Sequence, residues 1–211
     1  MKTLVKTVSA LAILTALLPS ATLPLYAEEG DWLVRLRTIK VSPDASATTN
    51  IGGSAAIDDA TTIELDFTYF ITNNIAAELI LASTKHHPDA VSTALGDVNL
   101  GAVRVLPPTL TLQYHFSPEA KFSPYIGAGL NYTTFFDVEA NGKVATDISY
   151  SDSFGIALQA GFDFKVSDDW FLNLDVKKIW INTDLKINGG AVTADVDINP
   201  TVFGIGIGKK F

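Results

Sequence analysis

The stretch FGIALQAGFDFK (residues 154–165) alternates without a break. Phe154, Ile156, Leu158, Ala160, Phe162 and Phe164 fall on one side of an extended chain, and Gln159, Gly161, Asp163 and Lys165 on the other. A period of two marks a strand with two unlike faces, because successive side chains leave a pleated backbone in opposite directions.

The same alternation recurs along the chain. Residues 31–41 set Trp32, Val34 and Leu36 against Arg35 and Arg37. Residues 61–72 set Ile63, Leu65, Phe67 and Tyr69 against Glu64, Asp66 and Thr68. Residues 75–86 set Leu79 and Leu81 against Glu78 and Ile80, and residues 109–116 set Leu110, Leu112, Tyr114 and Phe116 against Thr109, Thr111, Gln113 and His115. Residues 124–137 set Ile126, Ala128 and Leu130 against Gly127, Gly129 and Asn131. Residues 170–186 open with Trp170, Leu172, Leu174 and Val176 opposite Asn173, Asp175 and Lys177, and residues 191–211 end with Phe203, Ile205 and Ile207 opposite glycines 204, 206 and 208. With 154–165 these make eight strands. The linkers at 73–74, 117–123 and 167–169 are short, those at 42–60, 87–108 and 138–150 are long and polar, and the one around 188–190 is compact. An even strand count with short turns at one end and longer loops at the other is the layout of an outer-membrane barrel. The expected fold is all-β: an eight-stranded antiparallel transmembrane β-barrel, up-and-down, with both termini periplasmic.

A soluble barrel of the lipocalin kind has the same strand count but inverts the faces, apolar inside and polar outside. Here one face is aliphatic and aromatic while the other carries charge and glycine. Eight strands enclose little space, so a polar lumen within a lipid-facing apolar exterior fits better. Trp32, Tyr69, Phe116, Phe136 and Trp170 lie near strand ends, where interfacial girdles belong, although each alone suits ordinary packing as well.

The rest of the composition agrees. Of 211 residues 18% are charged, and the mean hydropathy is +0.25. No internal run of about 20 apolar residues could cross a bilayer as a helix. Lys2 and Lys6 precede an apolar core, Val8 to Leu18, and "LPLYA" leads into "EEGDW". That is a secretory signal with cleavage expected after Ala27, leaving 28–211 as one barrel domain. Its removal takes away two lysines and no acid, moving the net charge from −8 to −10. An acidic chain is a poor partner for nucleic acid. The absence of cysteine excludes a disulfide scaffold and cysteine-based metal or redox chemistry.

The first strand "GDWLVRLR", the mid-chain "LPPTLTLQYHF", "SPYIGAGLNYT" and the C-terminal "GIGIGKKF" resemble the OmpW family of bacterial outer-membrane proteins over essentially the whole mature chain. Lys209 departs from the family, which often carries an aromatic or aliphatic residue there; a lysine can snorkel to the interface. The resemblance implies passive transfer of small hydrophobic solutes through a barrel embedded in outer-membrane lipids. Relatives are linked to alkane uptake, and some serve as toxin receptors. It implies no enzyme and no cofactor, and a terminal Phe211 read by the barrel-assembly machinery. Oligomeric state is left open.

Loop lengths set strand direction and so give each inward residue a height. Arg35, Arg37, Glu64, Asp66, Glu78, His115, Asp163, Lys165 and Asp175 fall in the periplasmic half and are expected to form a charged plug, paired or hydrated because isolated charges in a dry site are costly. Ile39, Ile80, Ala82 and Ala157 fall above it, lining an apolar upper lumen. Strict alternation points Trp180 at lipid; a bulge at Lys177-Lys178 would instead turn Trp180 into the lumen and Ile179 and Ile181 outward. The bulge is the expected arrangement, because otherwise Lys178 faces hydrocarbon at roughly 2–4 kcal/mol.

Pro107 and Pro108 precede the strand 109–116, and each lacks a backbone N–H. One reading is that they end the strand and turn the chain into its loop. The other is a weak place in the wall beside the apolar cavity, a lateral gate. The expected function is thus passive uptake of small hydrophobic molecules, with possible exit sideways into the membrane. The alternative is a non-transporting receptor, adhesin or anchor, which would carry polar inward residues at every height. His86-His87 with Ser83 nearby lacks a nucleophile motif, so no catalytic site is expected. The same pair with Asp89 is a weaker candidate for a metal than for a solvated loop.

Overall fold

The computed structural model describes residues 28–211 apart from Leu95; the expected signal sequence lies outside the described residues. Eight strands form the barrel: β1 (Trp32–Ser42), β2 (Ala60–Phe70), β3 (Ile75–Ala82), β4 (Thr109–His115), β5 (Phe122–Ala140), β6 (Ser153–Lys165), β7 (Trp170–Ile179) and β8 (Thr201–Lys210). Each pairs antiparallel with its neighbours in sequence, and β8 closes on β1. Closure removes every sheet edge, the condition for β structure in lipid.

The faces are inside out relative to a soluble barrel. Leu110, Leu112, Ile156 and Ile205 are each more than half exposed, whereas Arg35, Arg37, Asp66 and Glu78 are at 0%. Alternation thus sends apolar side chains to lipid and charge to the lumen.

Two expected segments change at the long-loop end. The chain of β7 leaves the barrel after Ile179 and resumes as a strand at Asn182–Ile187, which pairs with Ile148–Tyr150 and Val192–Asp197. Residues 42–60 are not an irregular loop: Ser46–Thr49 adds to that sheet, and Ser54–Ile57 pairs with Pro88–Thr93 in a second one. The strands run on past the membrane band because their inward residues keep burying one another. Leu100, Ala145, Ile148, Leu185, Ile187, Ala194 and Val196 form an apolar cluster there.

Candidate functional site

Arg35 and Arg37 rise from one face of β1, and the register places Asp66 opposite the first and Glu64 opposite the second. Arg35 donates from Nη1 to Asp66 at 3.0 Å and to the Thr68 hydroxyl at 2.7 Å, while Nε and Nη2 fork onto Asp163 at 3.0 and 2.6 Å. Arg37 Nη2 lies 2.8 Å from Asp66 and 3.2 Å from Glu78. Its Nε is 2.7 Å from Glu64 Oε1 yet out of line for a hydrogen bond, so that contact is purely ionic. Lys177 Nζ reaches Asp175 at 2.7 Å and Glu64 at 3.1 Å. Thr111 donates to Glu78, and the Gln159 amide to Asp175. Eight ionisable side chains are therefore packed and cross-linked in one layer spanning the lumen.

Glycine makes room for this layer. A Cβ at Gly206 would stand 2.7 Å from both Cα and Cγ of Arg37, and one at Gly208 would stand 3.0 Å from Arg35 Cγ. The inward glycines of β8 thus hold the volume that the guanidinium stems occupy. Below the layer, Leu33, Phe70 and Ala76 pack with Phe171. His115 sits between the rings of Phe70 and Tyr125, with centroids 4.9 and 5.0 Å away. The charges are therefore not the bottom of the lumen; an apolar and aromatic seal lies beneath them.

Of the residues expected in the plug, Arg35, Arg37, Glu64, Asp66, Glu78, Asp163 and Asp175 form the layer and His115 the seal. Lys165 is half-buried at the short-turn rim of β6, where the strand ends. Lys177, Gln159 and Tyr125 were not singled out from sequence. All three are inward by alternation, but only the register shows that they meet the charges.

Above the layer is a cavity of about 230 Å³. Ile39, Ile80, Ala82, Val105, Ile179, Ile181 and Val202 line it, with Glu64 and Lys177 at its base. Ala157 is buried against this group without itself reaching the cavity wall. The expected bulge at Lys177-Lys178 is absent. The β6–β7 register runs unbroken from Lys165↔Phe171 to Ala157↔Ile179. Ile179 and Ile181 face the cavity at 4% and 3% exposure, and Trp180 faces outward at 37%. Lys178 stays outside without stranding its charge, because its ammonium reaches up to the Asn199 carbonyl at 2.6 Å, near Asp44.

Pro107 and Pro108 interrupt the strand, which ends at Leu106 and restarts at Thr109, but they do not turn the chain into a loop. Thr109 faces Ile80 and Val105 faces Thr84, so the register with the preceding strand is continuous across the pair. The same holds on the other side, where Thr109 faces Asn131 and Leu106 faces Thr134. The two sides are bonded differently. Toward β5, Tyr132 N–H donates to the Pro108 carbonyl, and the Asn131 amide donates to both proline carbonyls and to the Thr109 hydroxyl. Toward β3, among the described residues, no backbone hydrogen bond joins Leu81–Ser83 to Leu106–Pro108. Ala82 and Pro107 flank that seam and both line the cavity. Asn131 is fully buried. Asn131→Leu is expected to cost about 1–3 kcal/mol, measured by urea unfolding from vesicles, because it removes the donor shared by these oxygens.

His86, His87 and Asp89 do not converge. Both histidines contact Asp58, whereas Asp89 pairs with Asn99. Partial desolvation opposes ionisation of Asp58, but hydrogen bonds from the His87 backbone and ring outweigh it and hold the carboxyl below its usual range.

Comparison with known proteins matches the OmpW family model to residues 28–211. Outer membrane protein W of Vibrio cholerae is 38% identical over 98% of this chain and 99% of its own length. The dibenzothiophene metabolism operon protein DoxH of a Pseudomonas strain is 30% identical over 89% of this chain and 92% of its own. Among solved structures, OprG of Pseudomonas aeruginosa superposes with a TM-score of 0.83 at 32% identity, covering 89% of this chain and 98% of that one. AlkL, solved in lipid bilayers, superposes with a TM-score of 0.69 at 25% identity over 93% and 96% of the two chains. An inside-out eight-stranded barrel, matched along its whole described length, makes this chain a member of the OmpW family, located in the outer membrane of a Gram-negative bacterium.

Proposed function

We propose that the barrel is a passive uptake channel for small hydrophobic molecules and that it does no catalysis. The long-loop end faces outward and the short turns face the periplasm. A solute enters the apolar cavity from the loop end, meets the charged layer and leaves sideways through the seam between Leu81–Ser83 and Leu106–Pro108. The unbonded seam beside an apolar cavity is the observation that carries this reading. A solute stripped of water gains nothing by crossing a layer of buried ion pairs, whereas the seam opens onto lipid. The family's link to hydrophobic solutes, reflected in the name of the dibenzothiophene-operon relative, points the same way.

The test uses the natural lack of cysteine. Ser83 and Leu106 are outward residues facing each other across the seam, and cross-strand neighbours have Cβ atoms about 4.5–5.5 Å apart. Ser83→Cys with Leu106→Cys, oxidised, should reduce uptake of an apolar solute into proteoliposomes or cells to background, and reduction should restore it. Equal uptake by the oxidised and reduced forms would sink the lateral path.

A further inference from the structure

We infer that the cavity discriminates by charge as well as by polarity: it accepts uncharged or cationic apolar solutes and rejects those with a carboxylate head. This rests on the cavity being the solute site, as proposed above.

The charged residues lining the cavity are Glu64, Asp89 and Lys177, with the His86 ring beside them. Among the described residues, Lys177 is the one ammonium on this wall, and it is already shared between Asp175 at 2.7 Å and Glu64 at 3.1 Å. His86 is engaged as well: its Nδ1 lies 2.9 Å from the Asp58 carbonyl and its Nε2 3.0 Å from the Thr84 hydroxyl. The layer beneath holds five carboxylates, Glu64, Asp66, Glu78, Asp163 and Asp175, against three cations, Arg35, Arg37 and Lys177. Every one of these side chains is at most 5% exposed.

An incoming carboxylate would find no unengaged cation among the described residues that line the cavity. To reach Lys177 it would have to displace Glu64 or Asp175 and leave that acid buried without a partner. It would also lose its own hydration in a wall of isoleucine, valine and alanine, with like charges below in a medium where Coulomb forces are strong. A hydroxyl head carries no such repulsion, and an ammonium head can add to Glu64.

Size sets the probe. A dry cavity of about 150 Å³ holds benzene, so about 230 Å³ suits a bicyclic aromatic. The experiment compares 2-naphthalenemethanol, 2-naphthylmethylamine and 2-naphthoate at pH 8, by equilibrium dialysis against nanodiscs with and without the protein. The expected order is the amine at least as tight as the alcohol, and 2-naphthoate weaker than the alcohol by roughly tenfold or more. Glu64→Gln should raise naphthoate affinity and narrow its gap to the alcohol. Equal binding of alcohol and naphthoate by the wild-type barrel, or tightest binding of naphthoate, overturns the inference without touching the channel reading. These wild-type outcomes stand even if Glu64→Gln fails to fold. No protein-dependent binding of any of the three overturns the solute-site reading and the inference with it.

Discussion

Arg35→Met should unfold this barrel more readily than almost any other single change, lowering its stability by about 3–5 kcal/mol. Arg35 is fully buried and forks onto Asp163 while donating to Asp66 and Thr68. Methionine fills much of the stem volume but leaves two carboxylates facing each other in a dry lumen. Removing one partner of a buried network is costly because the remaining charges lose both water and counter-charge. Arg35→Lys should recover only part of the loss, since a lysine cannot bind two carboxylates in the planar fork that a guanidinium offers. Arg104→Ala is the internal control. Arg104 pairs with Asp137 on the exposed outer face, where such pairs contribute about 0–1 kcal/mol. Urea unfolding from lipid vesicles, read by the shifted gel mobility of folded barrels, measures all three. If Arg35→Met is as stable as Arg104→Ala, the layer is not what holds the lumen together.

Ala82→Trp should abolish uptake without abolishing folding. Ala82 lines the cavity beside Pro107, at the seam. An indole there fills much of a cavity of about 230 Å³ and covers the proposed exit. The position is half-buried and faces space, not packed backbone, so the barrel should still assemble. Uptake of an apolar solute should fall to the rate of cells lacking the protein, with equal amounts of folded barrel in the membrane. Trp180→Ala is the companion: Trp180 points outward and its removal should leave uptake unchanged. Normal transport by Ala82→Trp would show that the path does not cross this cavity.

The two tryptophan sites also show what alternation can and cannot tell. The period of two carried all eight strands and the facing of nearly every residue on them. It held at Lys177-Lys178 too, where the expected bulge failed because a penalty for one lysine in lipid was set against a regular strand. The lysine's stem is long enough to carry its charge up to Asn199, and no distortion is needed. Asn131 shows the converse. Its inward facing was readable, but its amide reaches two proline carbonyls on a strand 23 and 24 residues away, and only the register brings them together.

The sequence by itself determined an inside-out β-barrel, its strand count, its linker lengths and the family. These depend on local period and on what each face must meet, lipid or lumen, and both are written residue by residue. Only the tertiary structure decided which charges pair, that an apolar seal lies beneath them, and that the wall beside Pro107 and Pro108 is hydrogen-bonded toward β5 but, among the described residues, carries no backbone hydrogen bond toward β3. Those features depend on the register between strands distant in sequence, which alternation leaves free.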